Sequence, residues 1–244
     1  MQTEEVIHVL NCPCTIADRN YYQNFIHKRL DDGVSIITVA INARKIVMFN
    51  QDPEFRKVFE HNLVLPVPDG IGATIPMRLF NKKASQKIDF PGFMFDFCSR
   101  NGLRCYFLGT TESRNEKAVA QIAKLYPGIK ITGRHSGFEI NEQSLLLEFE
   151  ETQTQVVFVA MGSPRQEIFS ARLAENISGI IFVGVGGRFD ILSNEKKRAP
   201  SLLIHLGLEW TFRFISEPYR IKEQKKDMIA YLSLFSKRLF YRSK

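Results

Sequence analysis

Residues 155–167 read Gln155-Val156-Val157-Phe158-Val159-Ala160-Met161-Gly162-Ser163-Pro164-Arg165-Gln166-Glu167, and a second stretch, 179–190 (GIIFVGVGGRFD), follows the same pattern downstream. Each begins as an apolar, largely β-branched run and ends in glycine and polar residues. A strand covered on both faces reads as a continuous apolar run, and its carboxyl end is where an α/β sheet opens into a ligand crevice. Pro164 suits the first position of a helix, which would leave free N–H groups facing that crevice, a favourable seat for an anion such as a diphosphate. The chain therefore reads as a nucleotide-type α/β enzyme.

At 244 residues, 44% hydrophobic and 24% charged, the chain can bury a substantial core as one large domain or as a domain with an appendage. The start, MQTEEVIHVL, carries acidic residues where a secretory signal has basic ones, and no stretch approaches the ~18 consecutive apolar residues of a spanning helix. Four cysteines (Cys12, Cys14, Cys98, Cys105) suit a reduced compartment, and Cys12-Pro13-Cys14 reads as an N-terminal loop, not as a metal or redox pair. The net charge of +7 is uneven: residues 222–244 hold seven cations against two acids, a local +5.

Strands are expected at 34–41, 62–67, 103–108, 129–132, 155–161 and 179–185. Helices are expected at 15–31, 52–61, 71–80, 91–101, 112–125, 142–151 and 164–176. That alternation argues for a Rossmann-like, mostly parallel sheet covered by helices on both faces. The polar segment 81–87 (NKKASQK) reads as a mobile loop. After Arg198-Ala199-Pro200 the strand signal stops and the chain reads as helical, broken near Glu217-Pro218. Two units follow: a core over 1–198 and a helical, basic appendage over 199–244. In the last helix Ile221, Met228, Leu232, Phe235 and Leu239 recur as one apolar stripe among lysines and arginines.

Asp69, in Pro68-Asp69-Gly70-Ile71-Gly72, follows a strand directly. A carboxylate there is placed to accept a proton, or equally to cap the helix that begins near Ile71. Gly109-Thr110-Thr111 and Gly162-Ser163-Pro164 join strands to helices as phosphate loops do, but neither matches a dinucleotide fingerprint or a Walker lysine motif. Gln166 and Glu167 sit in the first turn of a helix, where the plain readings are that Glu167 favours the helix dipole and Gln166 is exposed. Asp190 is either a ribose acceptor or a cap. His135 is either a phosphate contact or polar surface.

Taken together and in order, several segments resemble one family. They are Asn42, Pro68 to Gly72, Phe107-Leu108-Gly109, Tyr126-Pro127-Gly128, Gly133 to Phe138, Met161 to Glu167, Gly184 to Asp190, Arg198-Ala199-Pro200, Leu208-Glu209-Trp210, Arg213 and Glu217-Pro218. Over roughly residues 33–220 the chain is similar to the WecG/TagA/CpsF glycosyltransferases (glycosyltransferase family 26). That resemblance implies a UDP-sugar donor and an acceptor sugar on a polyprenyl diphosphate at the inner face of a bacterial membrane. The hexose implied is N-acetylmannosamine, its uronate or a relative, used for teichoic acid, capsule or exopolysaccharide. The implied reaction inverts the anomeric centre and needs no metal motif or cofactor; the chain has no DxD pair.

Carried over by position, Asp69 becomes the base, with Asn42 and Gln166 lining the sugar pocket. Gly137-Phe138 and Asp190 would hold uracil and ribose. Gly70, Gly109, Thr110, Gly162, Pro164, Arg165, Gly186 and Gly187 would bring backbone and charge to the diphosphate, completed by Arg198, Arg213 and Arg220. Two positions depart from the family pattern: Ala40 where threonine is frequent, and Lys87-Ile88-Asp89-Phe90-Pro91-Gly92 where an arginine and a Thr-Gly pair are usual. Lysine offers a point charge instead of a planar fork.

The basic tail, 219–244, then reads as an amphipathic helix at an anionic membrane surface, each cation near it contributing ~1 kcal/mol. It also reads as an ordinary helix packed on the core or on a second copy of the chain. The alternative to a transferase is a non-catalytic basic module binding nucleic acid or acidic polymer through that tail, although the body carries no RNA-binding aromatic motif.

Overall fold

A computed structural model describes residues 5–83, 85–86, 88–197, 199–200, 212 and 219–241. The chain opens on a hairpin absent from the sequence expectation, β1 (Glu5–Val9) and β2 (Cys12–Ile16), turned by Leu10 and Asn11 at φ 48° and 68°. Two-residue hairpin loops need positive φ to match the strand twist, and their usual sequence mark is Asn-Gly or Asp-Gly. Leu10-Asn11 carries no such mark. Cys12 and Cys14 are strand residues, and burial pushes both thiols up, Cys14 to about 12.

The remaining strands are β3 (Ile36–Ile41), β4 (Val64–Pro68), β5 (Arg104–Gly109), β6 (Lys130–His135), β7 (Val156–Ala160) and β8 (Ile181–Gly184). They form a six-stranded sheet in the order β4-β3-β8-β7-β5-β6, with every pairing parallel. This is the Rossmann-like α/β architecture that the alternation of runs implies. β7 is buried along its whole length and β8 up to its last residue, as their apolar runs require.

Successive strand residues face opposite sides, so two cores form. Ile36, Leu65, Phe107, Phe158 and Val183 pack under α1 (Arg19–Asp31), α5 (Phe90–Asn101), α6 (Glu112–Leu125) and the short α9 (Arg188–Leu192). Ile37, Val39, Leu108, Val157 and Phe182 pack on the opposite side. There they meet the β1–β2 hairpin, α2 (Ala43–Gln51), α3 (Pro53–Val58), α4 (Ile71–Asn81), α7 (Glu142–Glu151) and α8 (Arg165–Asn176). α2 was not expected; it begins at once after β3 because Asn42 accepts a hydrogen bond from Lys45 N and so caps it. Four described residues of segment 81–87 are tied down: Asn81 donates to His8 O, Lys83 pairs with Glu5, Ser85 donates to Ala17 O, and Gln86 accepts from Arg19 N.

The last described helix, α10 (Tyr219–Tyr241), lies against α2 and α4. Tyr231 donates to Gly72 O at 2.7 Å, Phe235 meets the Phe80 ring at 5.2 Å, and Arg44 pairs with Asp227 at 3.2 Å. The face that packs is Tyr231, Leu234 and Phe235. The expected stripe is therefore split: Phe235 faces inward, whereas Met228, Leu232 and Leu239 are exposed. A single stripe does not describe a helix that is apolar on two sides.

Asn115 holds the outer strands together. It is fully buried on α6, and its Nδ2 lies within 3.1 Å of the carbonyls of Phe107, Gly109 and His135. Asn115→Ala should lower unfolding free energy by about 2–4 kcal/mol, because buried carbonyls at the ends of β5 and β6 lose their donor. Urea denaturation measures it, and a midpoint equal to that of the parent chain would contradict the assignment.

Candidate functional site

Parallel strands in register end together. The last pairs are Ile41 with Pro68, Val159 with Gly184, Gly109 with Ala160 and Leu108 with His135. The residues that follow them therefore share one edge of the sheet: Asp69-Gly70, Asn42, Val185 to Gly187, Met161 to Ser163, Thr110, and Ser136 to Phe138. Five strand spacings separate β4 from β6, about 24 Å. The edge is thus elongated, with Asp69 near one end and Phe138 near the other. β5 continues outward to β6 while β7 continues the opposite way to β8, so connections diverge between β5 and β7. Such switch points are where open α/β sheets bind ligands.

The Phe138 end is built by loops that hold one another. Gly109 has φ +127°, and a side chain there would run into the Ala160 carbonyl, so only glycine lets β5 leave the sheet this close to β7. Thr110 N then donates to Ala160 O, and Gly137 N to Thr110 O at 2.7 Å. Arg165 reaches across to donate to Gly137 O at 2.6 Å and lies 5.9 Å from the centre of the Phe138 ring. Phe138 itself is 55% exposed, an unusual state for a large aromatic that leaves its ring free to stack.

The expected anion seat at Pro164 is corrected in detail. Pro164 is the N-cap of α8, not its first residue, and two first-turn amides are engaged: Gln166 N with Gly162 O and Glu167 N with Pro164 O. Asp190 sits in α9 and pairs with Arg114 at 3.7 Å and Lys196 at 3.2 Å. Arg188 pairs with Asp89, which joins the β8–α9 loop to the cap of α5. Arg198 and Arg213 lie outside the described residues, as does Lys87. The backbone of Arg220 falls in α10, and its side chain is not described.

At the other end Asp69 is exposed, with its N–H donating to Ile41 O at 2.7 Å. The N-cap of α4 is Gly70, one residue beyond Asp69. Asn42 stands beside it at the end of β3. Its Oδ1 is occupied by capping, whereas its Nδ2 meets no acceptor among the described residues.

Between the two ends lies a buried network that sequence reading missed. Lys45, in the first turn of α2, meets Glu167 Oε1 at 2.7 Å, both side chains being almost wholly buried. The same oxygen accepts from Ser163 Oγ at 2.9 Å and Gln166 Nε2 at 2.8 Å. Glu167 Oε2 is buried and meets no hydrogen-bond partner among the described residues, so the compensation they offer falls on one oxygen. Gln166 is only 2% exposed, and its Oε1 accepts from Gly186 N at 3.2 Å. Gln166 is therefore not the exposed surface amide that one reading allowed, and its side chain braces the glycine loop. Nothing in the sequence marks Lys45, a lysine on the inward face of a helix that was itself unexpected.

These features, an all-parallel sheet with glycine-rich loops and a strand-end carboxylate on one edge, set the comparison with known proteins. The family model described as "Glycosyl transferase WecG/TagA/CpsF family" matches residues 7–244. The chain belongs to this family. It is therefore a glycosyltransferase. A protein of Bacillus subtilis (strain 168) named N-acetylglucosaminyldiphosphoundecaprenol N-acetyl-beta-D-mannosaminyltransferase is 29% identical over 227 residues, covering 91% of this chain and 87% of that protein. A protein of the same name from Bacillus spizizenii is 29% identical over 194 residues, covering 78% of this chain and 75% of that one.

Among the described residues no group of three or more His, Cys, Asp or Glu is arranged to hold a metal ion, and no helix is long and apolar enough to cross a membrane. Lys45→Met alone leaves a buried carboxylate without its counter-charge and should cost about 3–5 kcal/mol, whereas Lys45→Met with Glu167→Met should recover most of it. Guanidinium melts of the two variants test this: a double variant that loses as much as Lys45→Met or more would contradict it.

Proposed function

We propose that this chain moves a hexosamine, N-acetylmannosamine, its uronate or a related sugar, from a UDP-sugar to an N-acetylglucosamine carried on a polyprenyl diphosphate, with inversion and without a metal. Asp69 takes the proton from the acceptor hydroxyl. The freed oxygen attacks the anomeric carbon, and the bond from that carbon to the diphosphate oxygen breaks, so UDP leaves with the electron pair. The observation that carries this reading is Asp69 itself: an exposed carboxylate at the carboxyl end of β4, its backbone fixed to β3, with the capping position filled by Gly70. Family membership and the names of the two relatives supply the substrate classes.

The crevice fits a long, bipartite donor. Phe138 offers a stacking face for uracil at one end, with Asp190 for ribose. Gly109, Thr110, Gly162 and Gly186-Gly187 would approach the diphosphate at the strand divergence, and Asn42 Nδ2 is a spare donor near the sugar. Charge accumulates on the departing UDP, and positioned cations lower that barrier most effectively where water is excluded. Arg165 is one such cation, and Arg198, Arg213 and Arg220 of the C-terminal appendage (199–244) and its approach are the others.

The same reading gives α10 a membrane role, at the cytoplasmic face where lipid-linked acceptors of this class would be met. Its outward face shows Ile229 and Leu232, each 58% exposed, and Phe240 at 73%, with Lys225, Lys226, Lys237 and Arg238 exposed around them. Apolar residues entering the headgroup boundary and cations at anionic lipid act together.

Asp69→Asn should lower turnover by a factor of about 10²–10⁴ while leaving UDP affinity within twofold or so, because the residue works on the acceptor proton. UDP release with a short-chain polyprenyl-diphosphate-GlcNAc acceptor, alongside calorimetry of UDP, reads both; an Asp69→Asn enzyme of full activity would remove the base from the mechanism. Replacing Ile229, Leu232 and Phe240 together by serine should reduce co-sedimentation with anionic liposomes by about tenfold or more, given ~0.8 kcal/mol for each methylene withdrawn from the bilayer. Sedimentation equal to that of the parent chain would rule out this face as the anchor.

A further inference from the structure

Glu167 is 1% exposed and holds three donors on one oxygen, drawn from α2, from the β7–α8 loop and from its own neighbour Gln166. Favouring the helix dipole needs only proximity to the first turn, and an exposed carboxylate would do that as well. Burial with a lysine from another helix calls for a second explanation.

We propose that Glu167, held by Lys45, is a positioning residue that fixes the orientation of the Gln166 amide and through it the Gly184–Gly187 loop of the crevice. An ionised carboxylate only accepts hydrogen bonds, so it selects the NH₂ end of a neighbouring amide. With Nε2 of Gln166 turned to Glu167, its carbonyl oxygen must face the other way, and there it receives Gly186 N–H at 3.2 Å. The same amide sits so close to β8 that a side chain on Gly184 would come within 2.6 Å of Nε2. The brace therefore touches the loop twice, once by a hydrogen bond and once by close packing. Ser163 extends the arrangement to the β7–α8 loop, and Asn42 extends it to the end of β3, since Oδ1 of Asn42 caps the turn that carries Lys45. One buried carboxylate thus sets three loops that open on the crevice, although it does not itself reach the surface.

The effect on turnover rests on the transferase reading above; the effect on the loop does not. The test compares two double variants on the full chain. Lys45→Met/Glu167→Gln keeps an acceptor oxygen for Gln166 and Ser163, whereas Lys45→Met/Glu167→Met removes it while filling similar volume. Hydrogen–deuterium exchange over residues 183–189 should be about tenfold faster in the methionine double variant than in the glutamine one, the weight of one lost hydrogen bond. With UDP-N-acetylmannosamine and the polyprenyl-diphosphate-GlcNAc acceptor, the methionine variant should show a lower kcat and the glutamine variant should keep it. Equal exchange over 183–189 in the two variants overturns the proposal, because the loop then holds itself. A methionine double variant without a cooperative melt overturns it too, because the carboxylate then serves stability. A parent chain with no turnover on these substrates would count against the transferase reading, and the exchange comparison would still decide the positioning role.

Discussion

A sheet covered on both faces leaves polar chemistry very few places to be. Every strand of the centre is sealed by helices above and below, so a side chain that must meet solvent and substrate has to stand where the strands stop. Six parallel strands in register stop together, and that one fact gathers Asp69, Asn42, Gly109, Gly162, Gly186 and Phe138 from across more than a hundred residues. The same sealing makes the boundary under that edge expensive. Polar groups just below it are cut off from water and must satisfy each other. The Lys45–Glu167–Gln166 network and the Asn115 amide, which links three carbonyls, are both answers to that demand.

These contacts differ in kind along the crevice. At the Phe138 end the loops are joined mainly by backbone and by one arginine, with the aromatic ring left exposed. In the middle the ties are buried and charged. Toward Asp69 the backbone is fixed to β3, and the following turn meets Tyr231 of α10. A site preset in this way loses little freedom when a ligand arrives, so more of the binding energy is available for the transition state.

Much of this was legible in the sequence, and the exceptions have physical causes. Buried parallel strands announce themselves, since only continuous apolar runs can fill both faces, and β7 and β8 were read nearly to the residue. Glycine-rich strand ends likewise marked the crevice. The β1–β2 hairpin escaped because Leu10 takes up a left-handed backbone that leucine rarely adopts, and Asn11 is not followed by the glycine that usually marks such a turn. α2 escaped because Asn42 was weighed as a ligand contact and not as a cap, although its amide has two ends and serves as a cap with one. The burial of Gln166 and Glu167 was not legible, because sequence does not say which side of a helix start faces the protein. The partner that buries them, Lys45, lies more than a hundred residues away.

α10 ties these themes together, because its two apolar sides are differently placed. The inner side, Tyr231, Leu234 and Phe235, is packed on α2 and α4, and the Tyr231 hydroxyl rests on the carbonyl of Gly72, three residues after the proposed base. Burial pushes that phenol up to about 12, so it remains a neutral donor at any physiological pH. The outer side is exposed and apolar among cations. Its inner contacts are spread over α2 and both ends of α4, and one of them, Tyr231 on Gly72 O, falls on the first turn after Asp69. A bilayer gripping the outer side would therefore hold that turn at a fixed height above the headgroups, where the hydroxyl of a lipid-borne acceptor would arrive.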